Sequence, residues 1–351
     1  DGGTVNNHYA FSDAQGSDIY APLLITQAIQ NAGLGAKTVY QRQSYGSSGD
    51  LSSTFPLGYN AFYIMKYEIN QAQYVDFLNS LTVQQQLEIM GDLKNSRPPN
   101  SATGTVMKSY NSSVRIEIVT PGDNTSSYTP AIYGLDASND NNFNQDNDGF
   151  GIPVTLNRRE LLTYLDWTAL RPMTEFEYEK ACRGPLTPVM YEKAWGTTSY
   201  TNKHGNPTNY RSSNSYFRTD WDNYLGPNHN VIVRSGIDAT STSNRERSGA
   251  TFFGVMEMTG NIGEFAIGGR DGNYSTFTNA PGDGSISQIA ENDSPNWKSQ
   301  GYIYRGRGNW NWGNGAERVS NRYGDWRGEI NSNYNQDKNI YAIGGRGVRS
   351  W

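Results

Sequence analysis

The chain has 351 residues, of which 13% are aromatic and 18% are charged, and its formal net charge is −5 at pH 7. Disordered chains combine high net charge with few aromatic residues, so this composition predicts a folded protein. The pI near 5.3 and the lack of a basic run argue against nucleic acid as a partner. The single cysteine, Cys182, excludes an internal disulfide bond, and no apolar run approaches the ~20 residues that span a bilayer.

Residues 1–57 show little periodic pattern, and we assign them to an N-terminal extension of the main domain. The chain begins with Asp1 rather than Met, so we expect that an upstream segment, with any signal sequence, was removed or left out. Surfaces rich in Tyr, Trp and Asn are typical of extracellular binding proteins, because rigid aromatic side chains give contact area at low entropic cost. The composition therefore favours an extracellular or cell-surface location.

The first clear element is a strand followed by a helix. Residues 61–69 are rich in aromatic and β-branched side chains and follow Gly58, which predicts a strand. Asn70 and Gln73 have the spacing of a capping box and predict a helix N-terminus. Glu68, near the end of the strand, is expected to pair with an arginine. The apolar side chains after the capping box have the spacing of one helix face: Tyr74, Phe77, Leu78 and Leu81.

We assign residues 83–150 as an insertion that contains an Asp- and Asn-rich loop ending at Gly149. Oxygen-bearing side chains at alternate positions, followed by a glycine that permits a sharp turn, are typical of calcium loops. The closing bidentate Glu is missing at the expected distance, since the next carboxylate belongs to Glu160. The alternative is a solvated polar loop. The candidate calcium ligands are Asp140, Asn142, Asn144, Asp146 and Asp148.

A second helix is predicted to begin after Thr174, which has the spacing of a capping box with Glu177. Glu175 and Glu179 share a face of this helix, as an acid–base pair would. Acidic residues near a helix N-terminus are explained more simply by the helix macrodipole. Cys182 lies in the same helix and is expected to be a small buried residue. Residues 197–250 form a second polar, loop-rich stretch that we also assign as an insertion.

The segment 254–265 brings an apolar run to a Gly260–Asn261 turn, where both residues tolerate positive φ. Glu264 can fold its carboxylate toward the Asn261 amide oxygen. Side-chain oxygens together with backbone carbonyls freed at a turn suit a hard cation such as calcium. The alternative is a turn whose Asn and Glu only tie down the local backbone. The candidate calcium ligands are Asn261, Ile262, Gly263 and Glu264.

Several of these segments resemble the formylglycine-generating enzyme (sulfatase-modifying factor) family. Residues 67–74 are similar to its opening Tyr-Glu-Val-Thr-Asn-x-x-Tyr block, and residues 171–184 to its Arg-Leu-Pro-Thr-Glu-Ala-Glu-Trp-Glu block. Residues 254–265 resemble its Gly-Asn-Val-Trp-Glu-Trp signature, with Gly263 and Phe265 at the two Trp positions. Later blocks follow in the family order and extend the resemblance over most of the chain: 194–196, 304–310, 318–323 and 347–349.

The resemblance implies an irregular, loop-rich α+β domain with a C-type-lectin-like fold, in which two main helices pack on a small twisted antiparallel sheet. This domain would span residues 58–351, with the insertions at about 83–150 and 197–250. The resemblance also supports a structural calcium ion at the Asn261–Glu264 turn, because family members bind calcium near this turn. The variants that the chain resembles most are bacterial secreted or surface proteins.

Catalysis of the family type is not expected. The family's oxygen-dependent enzymes hold copper with two cysteines, and the matching positions here are about Trp312 and Glu317, which lack the thiolates that Cu(I) requires. Its ergothioneine-type relatives use a histidine-rich iron site, whereas His8, His204 and His229 lack the spacing of a helical metal pair. An enzyme with an unrecognised site remains an alternative, and its candidate carboxylates are Glu264, Asp271 and Glu329.

The sequence thus predicts a non-catalytic secreted or cell-surface module with a structural calcium ion and no copper. Its partner would be a protein or a glycan at a cell surface, in adhesion or within a larger assembly. A further alternative is a retroelement-diversified ligand-binding protein, because asparagines alternate with Trp and Tyr over residues 309–339; the competing interpretation is an ordinary polar loop. These asparagines are Asn309, Asn311, Asn314, Asn321, Asn331, Asn333, Asn335 and Asn339.

Overall fold

The structure is a computed structural model that describes residues 8–10, 23–34, 51–91, 98–110, 114–199, 208–209, 211–214, 232–268, 277–294, 297, 301–306, 317–320 and 343–351. Within these residues the chain is a mixed α+β structure with six α-helices and four small sheets. The predicted α+β class is therefore confirmed. No helix in the described part of the chain combines the length and the apolar character needed to cross a bilayer.

Two of the helices begin at polar capping residues that were predicted from the sequence. Asn70 forms a capping box with Gln73, and Thr174 forms one with Glu177, as predicted. A third long helix begins after Asn157, which forms a capping box of its own. Val83–Gly91 is as long as the helix that follows Thr174, so the described residues contain four helices of nine or ten residues, two more than the predicted main helices. The helices are α1 (Gln27–Ala32), α2 (Gln71–Ser80), α3 (Val83–Gly91), α4 (Arg158–Trp167), α5 (Glu175–Arg183) and α6 (Arg245–Ser248).

The strands form short ladders rather than one continuous sheet. β1 (His8–Ala10) pairs with β2 (Leu23–Ile25), and β4 (Val106–Tyr110), β5 (Val114–Thr120) and β6 (Ile132–Leu135) form an antiparallel meander. The C-terminal strand β11 (Gly347–Ser350) lies between β3 (Phe62–Ile64) and β7 (Arg171–Pro172), antiparallel to both. β8 (Gly263–Ile267) lies between β9 (Tyr302–Arg305), which is antiparallel, and β10 (Ile343–Gly344), which is parallel.

Two hydrophobic clusters hold these elements together. The larger one joins α2, α4 and the β4–β6 sheet with the segment 51–57, where Phe55 makes edge contacts with Phe176 and Phe277. The smaller one lies between α5 and the strands β8, β9 and β11, and includes Tyr178 and Val348. Residues that we assigned to the N-terminal extension and to the first insertion therefore share one core with the predicted main domain.

The first insertion is fastened to the helices by side-chain amides. Asn79 on α2 accepts the Tyr133 N–H and donates to the Tyr133 carbonyl. Gln86 on α3 makes the same pair of bonds with Ala131 and is fully buried. Each side-chain amide thus pairs with the backbone in or just before the edge strand β6, as a residue of a neighbouring strand would. These contacts place the loop that follows β6, which carries the predicted calcium ligands.

Candidate functional site

The turn at residues 260–264 has the backbone that the sequence predicts, with φ of 98° at Gly260 and 54° at Asn261. The Asn261 side chain faces a neighbouring loop. Its Oδ1 accepts the Val233 N–H at 3.0 Å, and its Nδ2 donates to the Val233 carbonyl at 3.0 Å. Both ends of the amide are therefore engaged by one residue of the backbone.

Glu264 is fully buried and forms a bidentate ion pair with Arg346, with N···O distances of 2.6 and 2.7 Å. Arg346 also donates to the carbonyls of Met65, Lys66 and Met256. Its planar fork thereby joins β8, the end of β3 and the segment before the turn. This geometry favours the interpretation as a hydrogen-bonded turn, and calcium binding by Asn261, Ile262, Gly263 and Glu264 stays a prediction.

Two more buried carboxylates lie beside Arg346, and we call Glu68, Glu257, Glu264 and Arg346 the arginine cluster. Glu68 Oε2 lies 4.0 Å from Arg346 Nη2 and accepts the Ser235 hydroxyl, which confirms that Glu68 pairs with an arginine. Burial raises the pKa of Glu68 well above its usual range, against the effect of Arg346. Burial likewise raises the pKa of Glu257 to about 7. The Arg346 guanidinium is thus a shared positive charge beside three buried carboxylates.

The other carboxylates considered for hydrolysis, Asp271 and Glu329, lie outside the described residues, and Glu264 is committed to Arg346. The described residues also exclude Trp312, His204, His229 and the eight asparagines of residues 309–339. Glu317 is buried, and its backbone carbonyl accepts the Thr259 hydroxyl. Cys182 is buried as predicted, and burial raises the pKa of its thiol to about 12. A thiol held protonated in this way is a poor nucleophile and metal ligand.

Members of the ligand set predicted in the Asp- and Asn-rich loop make separate hydrogen bonds, and calcium binding by this set stays a prediction. Asp140 accepts the Asn142 N–H at its own surface turn, and Asp146 accepts the Ser213 N–H. Asn144 accepts the Leu135 N–H at the end of β6. Asp148, in contrast, is fully buried. A second fully buried aspartate, Asp136, lies in the same loop and was not among the predicted ligands.

A separate group of acidic residues brings carboxylate oxygens together from distant parts of the chain. Ligand oxygens of Asp166, Asp283 and Asp293, the aspartate cluster, lie within 4.8 Å of one another and could hold a metal ion. Asp166 is buried at the end of α4 and accepts the N–H groups of Asp283 and Asp293. Burial and the charge of Asp166 raise the pKa of Asp293. Its members share no local motif, so this cluster could not be predicted from sequence patterns.

An open cavity of about 380 Å³ lies beside β3, and we call it the edge groove. Its lining combines apolar side chains with two lysines, the exposed Lys66 and the buried Lys180. Burial lowers the pKa of Lys180 to about 8, and its ammonium donates to the carbonyls of Tyr59 and Asn60. The lining residues are Phe62, Tyr63, Ile64, Lys66, Lys180, Ala181, Phe253, Gly254 and Val255.

The surface around the groove exposes aromatic rings. Tyr63 is 54% exposed and stacks on Trp351 with ring centroids 5.2 Å apart. Phe253 is 37% exposed, and Lys66 lies over the Tyr67 ring at 5.4 Å. Exposed aromatic and apolar side chains that gather around a cavity, rather than scatter singly, are typical of interaction surfaces.

The backbone of β3 also faces the groove. Met65 donates to the Gly347 carbonyl and Trp351 donates to the Ala61 carbonyl, so residues 61, 63 and 65 are bonded to β11. In an antiparallel ladder bonded and non-bonded residues alternate. The N–H and C=O groups of Phe62 and Ile64 therefore point to the opposite edge, where no strand pairs with β3 in the described part of the chain.

No protein-family model matches the chain, and no curated protein matches it either. The resemblance to the formylglycine-generating enzyme family consequently rests on the quoted motifs alone. The expectations that it carries about fold, calcium and partners are taken up as proposals.

Proposed function

We propose that the chain is a non-catalytic binding module of the extracellular space or cell surface, and that the edge groove receives an extended segment of a protein partner. The observation that carries this proposal is the open edge of β3 beside exposed aromatic side chains. An extended peptide adds to such an edge through main-chain hydrogen bonds, while pockets beside the edge select its side chains. Phe62 and Ile64 supply the backbone groups for this pairing.

The rim of the groove favours a peptide with an acidic side chain. Lys66 is exposed and lines the cavity, and an acidic residue next to the added strand would reach it. Tyr63 and Phe253 would cover apolar side chains of the peptide, since large aromatic rings bury much area at small entropic cost. A glycan could stack on the same rings, but it would leave the edge N–H and C=O groups of β3 without strand partners.

We also propose that the fold is the C-type-lectin-like fold of the formylglycine-generating enzyme family, in a variant that lacks its copper-binding cysteines. This proposal is supported by the order of the quoted motifs and by the ladder in which the last strand, β11, pairs beside β3. Calcium is the ion we assign to the aspartate cluster, because carboxylate oxygens suit a hard cation. Calcium binding that survives Asp293→Asn unchanged would contradict that assignment.

The test of the binding proposal is selection from a random peptide library, displayed on phage, against the folded chain. Selected peptides should carry an acidic residue and should bind the wild type but not Tyr63→Ala or Phe253→Ser. Tyr128→Ala is the matched control, because Tyr128 is 65% exposed in a loop outside the groove. This control should bind like the wild type.

N-methylation of the selected peptides distinguishes strand addition from simple burial of side chains. Methyl groups at alternate peptide nitrogens should abolish binding, whereas methyl groups at the intervening nitrogens should have little effect, because only every second N–H faces the added strand. Loss at every position, or at none, would contradict the proposal. A second outcome would also contradict it: the peptide selection yields no binder, and the chain binds a glycan array in a way that Tyr63→Ala abolishes.

A further inference from the structure

The Asp- and Asn-rich loop lies against a carboxylate from another part of the chain. Glu117 on β5 is fully buried, as are Asp136 and Asp148 in the loop. Arg115, two residues before Glu117 and 29% exposed, pairs with Glu117 Oε1. Three carboxylates against one guanidinium leave two negative charges uncompensated by that arginine. Buried charge of one sign requires a partner of the other sign or protonation.

Hydrogen bonds hold the two aspartates of the loop near each other. Ser138 connects the two aspartates, because its N–H donates to Asp148 Oδ1 and its hydroxyl donates to Asp136 Oδ1. The backbone N–H groups of Asp140 and Asn141 also bond to Asp136. A carboxylate offers about four lone-pair positions, so these bonds orient the Asp136 oxygens and leave them further capacity for an ion.

The other oxygen of Glu117, Oε2, gives separate support for a cation site. It is buried and has no hydrogen-bond partner among the described residues. It lies 3.8 Å from the point that a Cβ would occupy on Gly104, and Asn141 Oδ1 lies 2.9 Å from the same point. Gly104 has a φ of +79°, and the absence of a side chain there keeps the space between the two oxygens open. Burial raises the pKa of Glu117, and the charges of Asp136 and Asp148 add to this effect against Arg115.

We propose that Glu117 closes a calcium site with Asp136 and Asn141. The loop lacks its own closing glutamate, and Glu160 cannot supply one, because its carboxylate is bonded to Lys108 at 2.8 Å and to the Asn157 N–H at 2.7 Å. Glu117 therefore takes this role from a neighbouring strand. Backbone carbonyls of the loop and water would complete the six to eight oxygens that calcium takes. The site lies apart from the edge groove and does not depend on the proposed binding function.

The test is calcium binding to the full chain by isothermal titration calorimetry, with thermal unfolding in EDTA and in calcium chloride as a second measurement. Glu117→Gln keeps the shape of the side chain and removes its charge, and we expect it to weaken calcium binding at this site about tenfold or more. Asn141→Ala alters an exposed residue and tests the site without disturbing the core. It should weaken binding as well. Both variants should lose the part of the calcium-dependent rise in melting temperature that Asp293→Asn retains.

Asp293→Asn is the matched control, because it removes one charge from the aspartate cluster and leaves the Glu117 site intact. It should retain the binding event that Glu117→Gln loses, and it should lose the separate binding event that we assign to the aspartate cluster. The proposal is overturned if wild-type chain shows no calcium binding at millimolar concentration. It is overturned equally if Glu117→Gln and Asn141→Ala both bind calcium as the wild type does, or if only Asp293→Asn reduces binding.

Discussion

Two groups of buried carboxylates in this chain differ in what neutralises them. In the arginine cluster, Arg346 is fully buried and makes five hydrogen bonds, two of them to Glu264 and three to backbone carbonyls. Beside the Asp- and Asn-rich loop, Arg115 is partly exposed and contacts only one oxygen of Glu117 among the described contacts. The aspartates there are bonded to backbone N–H groups instead.

The difference indicates how a buried acidic group is to be interpreted. A guanidinium that uses all its donors fixes the carboxylates as structure, because removal of either partner leaves an uncompensated charge in the core. Carboxylates oriented by N–H groups, with one oxygen left unpartnered, are prepared for a cation that is not part of the chain. The two clusters are thus similar in composition and opposite in expected response to calcium and to mutation.

The largest effect is expected from Arg346→Ala. This change removes the only cation that contacts Glu264 among the described residues, and breaking a buried ion pair from one side costs about 3–5 kcal/mol. Urea denaturation should show this loss in the free energy of unfolding. Arg349→Ala is the matched control three residues further along, in β11, because Arg349 is exposed, and it should change stability by less than about 0.5 kcal/mol. A small effect of Arg346→Ala would mean that the arginine cluster does not hold the fold.

Removal of calcium should have the next largest effect. An ion that binds only the folded state stabilises it by about 2.7 kcal/mol when its free concentration is 100-fold above Kd. Differential scanning calorimetry in EDTA and in calcium should show the full shift for the wild type and for Glu264→Gln, and a smaller shift for Glu117→Gln. The opposite result, with the shift lost in Glu264→Gln and kept in Glu117→Gln, would place the ion at the 260–264 turn that the sequence predicts.

These expectations differ from those of the sequence for a physical reason. Capping boxes are local, so Asn70 and Thr174 were sufficient to predict where α2 and α5 begin. The third box, at Asn157, begins a helix that was not counted as a main one, although residues 161–167 have apolar side chains at helical spacing. Sequence patterns along one segment likewise suggested Asp148 as a ligand, whereas its neighbour Glu117 comes from another strand and is placed only by the fold.

We expect a pH effect of intermediate size on the stability of the fold, caused by Glu257 in the arginine cluster. The pKa of Glu257 is raised to about 7 in the folded chain, against about 4.3 in an unfolded chain. Between these values the folded state holds the extra proton, so stability is greatest at the acid end and falls as pH rises. The loss approaches about 1.4 kcal/mol per pH unit for one such group.

The free energy of unfolding, measured by urea denaturation between pH 5 and 7.5, should therefore decline less steeply in Glu257→Gln than in the wild type. Glu88→Gln, which changes a carboxylate at the surface of α3, should keep the wild-type slope. Equal slopes in all three proteins would show that Glu257 does not take up a proton on folding.

The smallest effect is expected from Arg115→Gln in saturating calcium. Arg115 is partly exposed, and exposed ion pairs contribute about 0–1 kcal/mol, so a bound ion should make its loss nearly neutral. Removal of a positive charge beside Glu117 should also tighten calcium binding, which isothermal titration calorimetry would detect as a lower Kd. A cost as large as that of Arg346→Ala, with unchanged calcium affinity, would identify Arg115 as the counter-ion of the loop. The two clusters would then be neutralised in the same way, and the loop would need no metal.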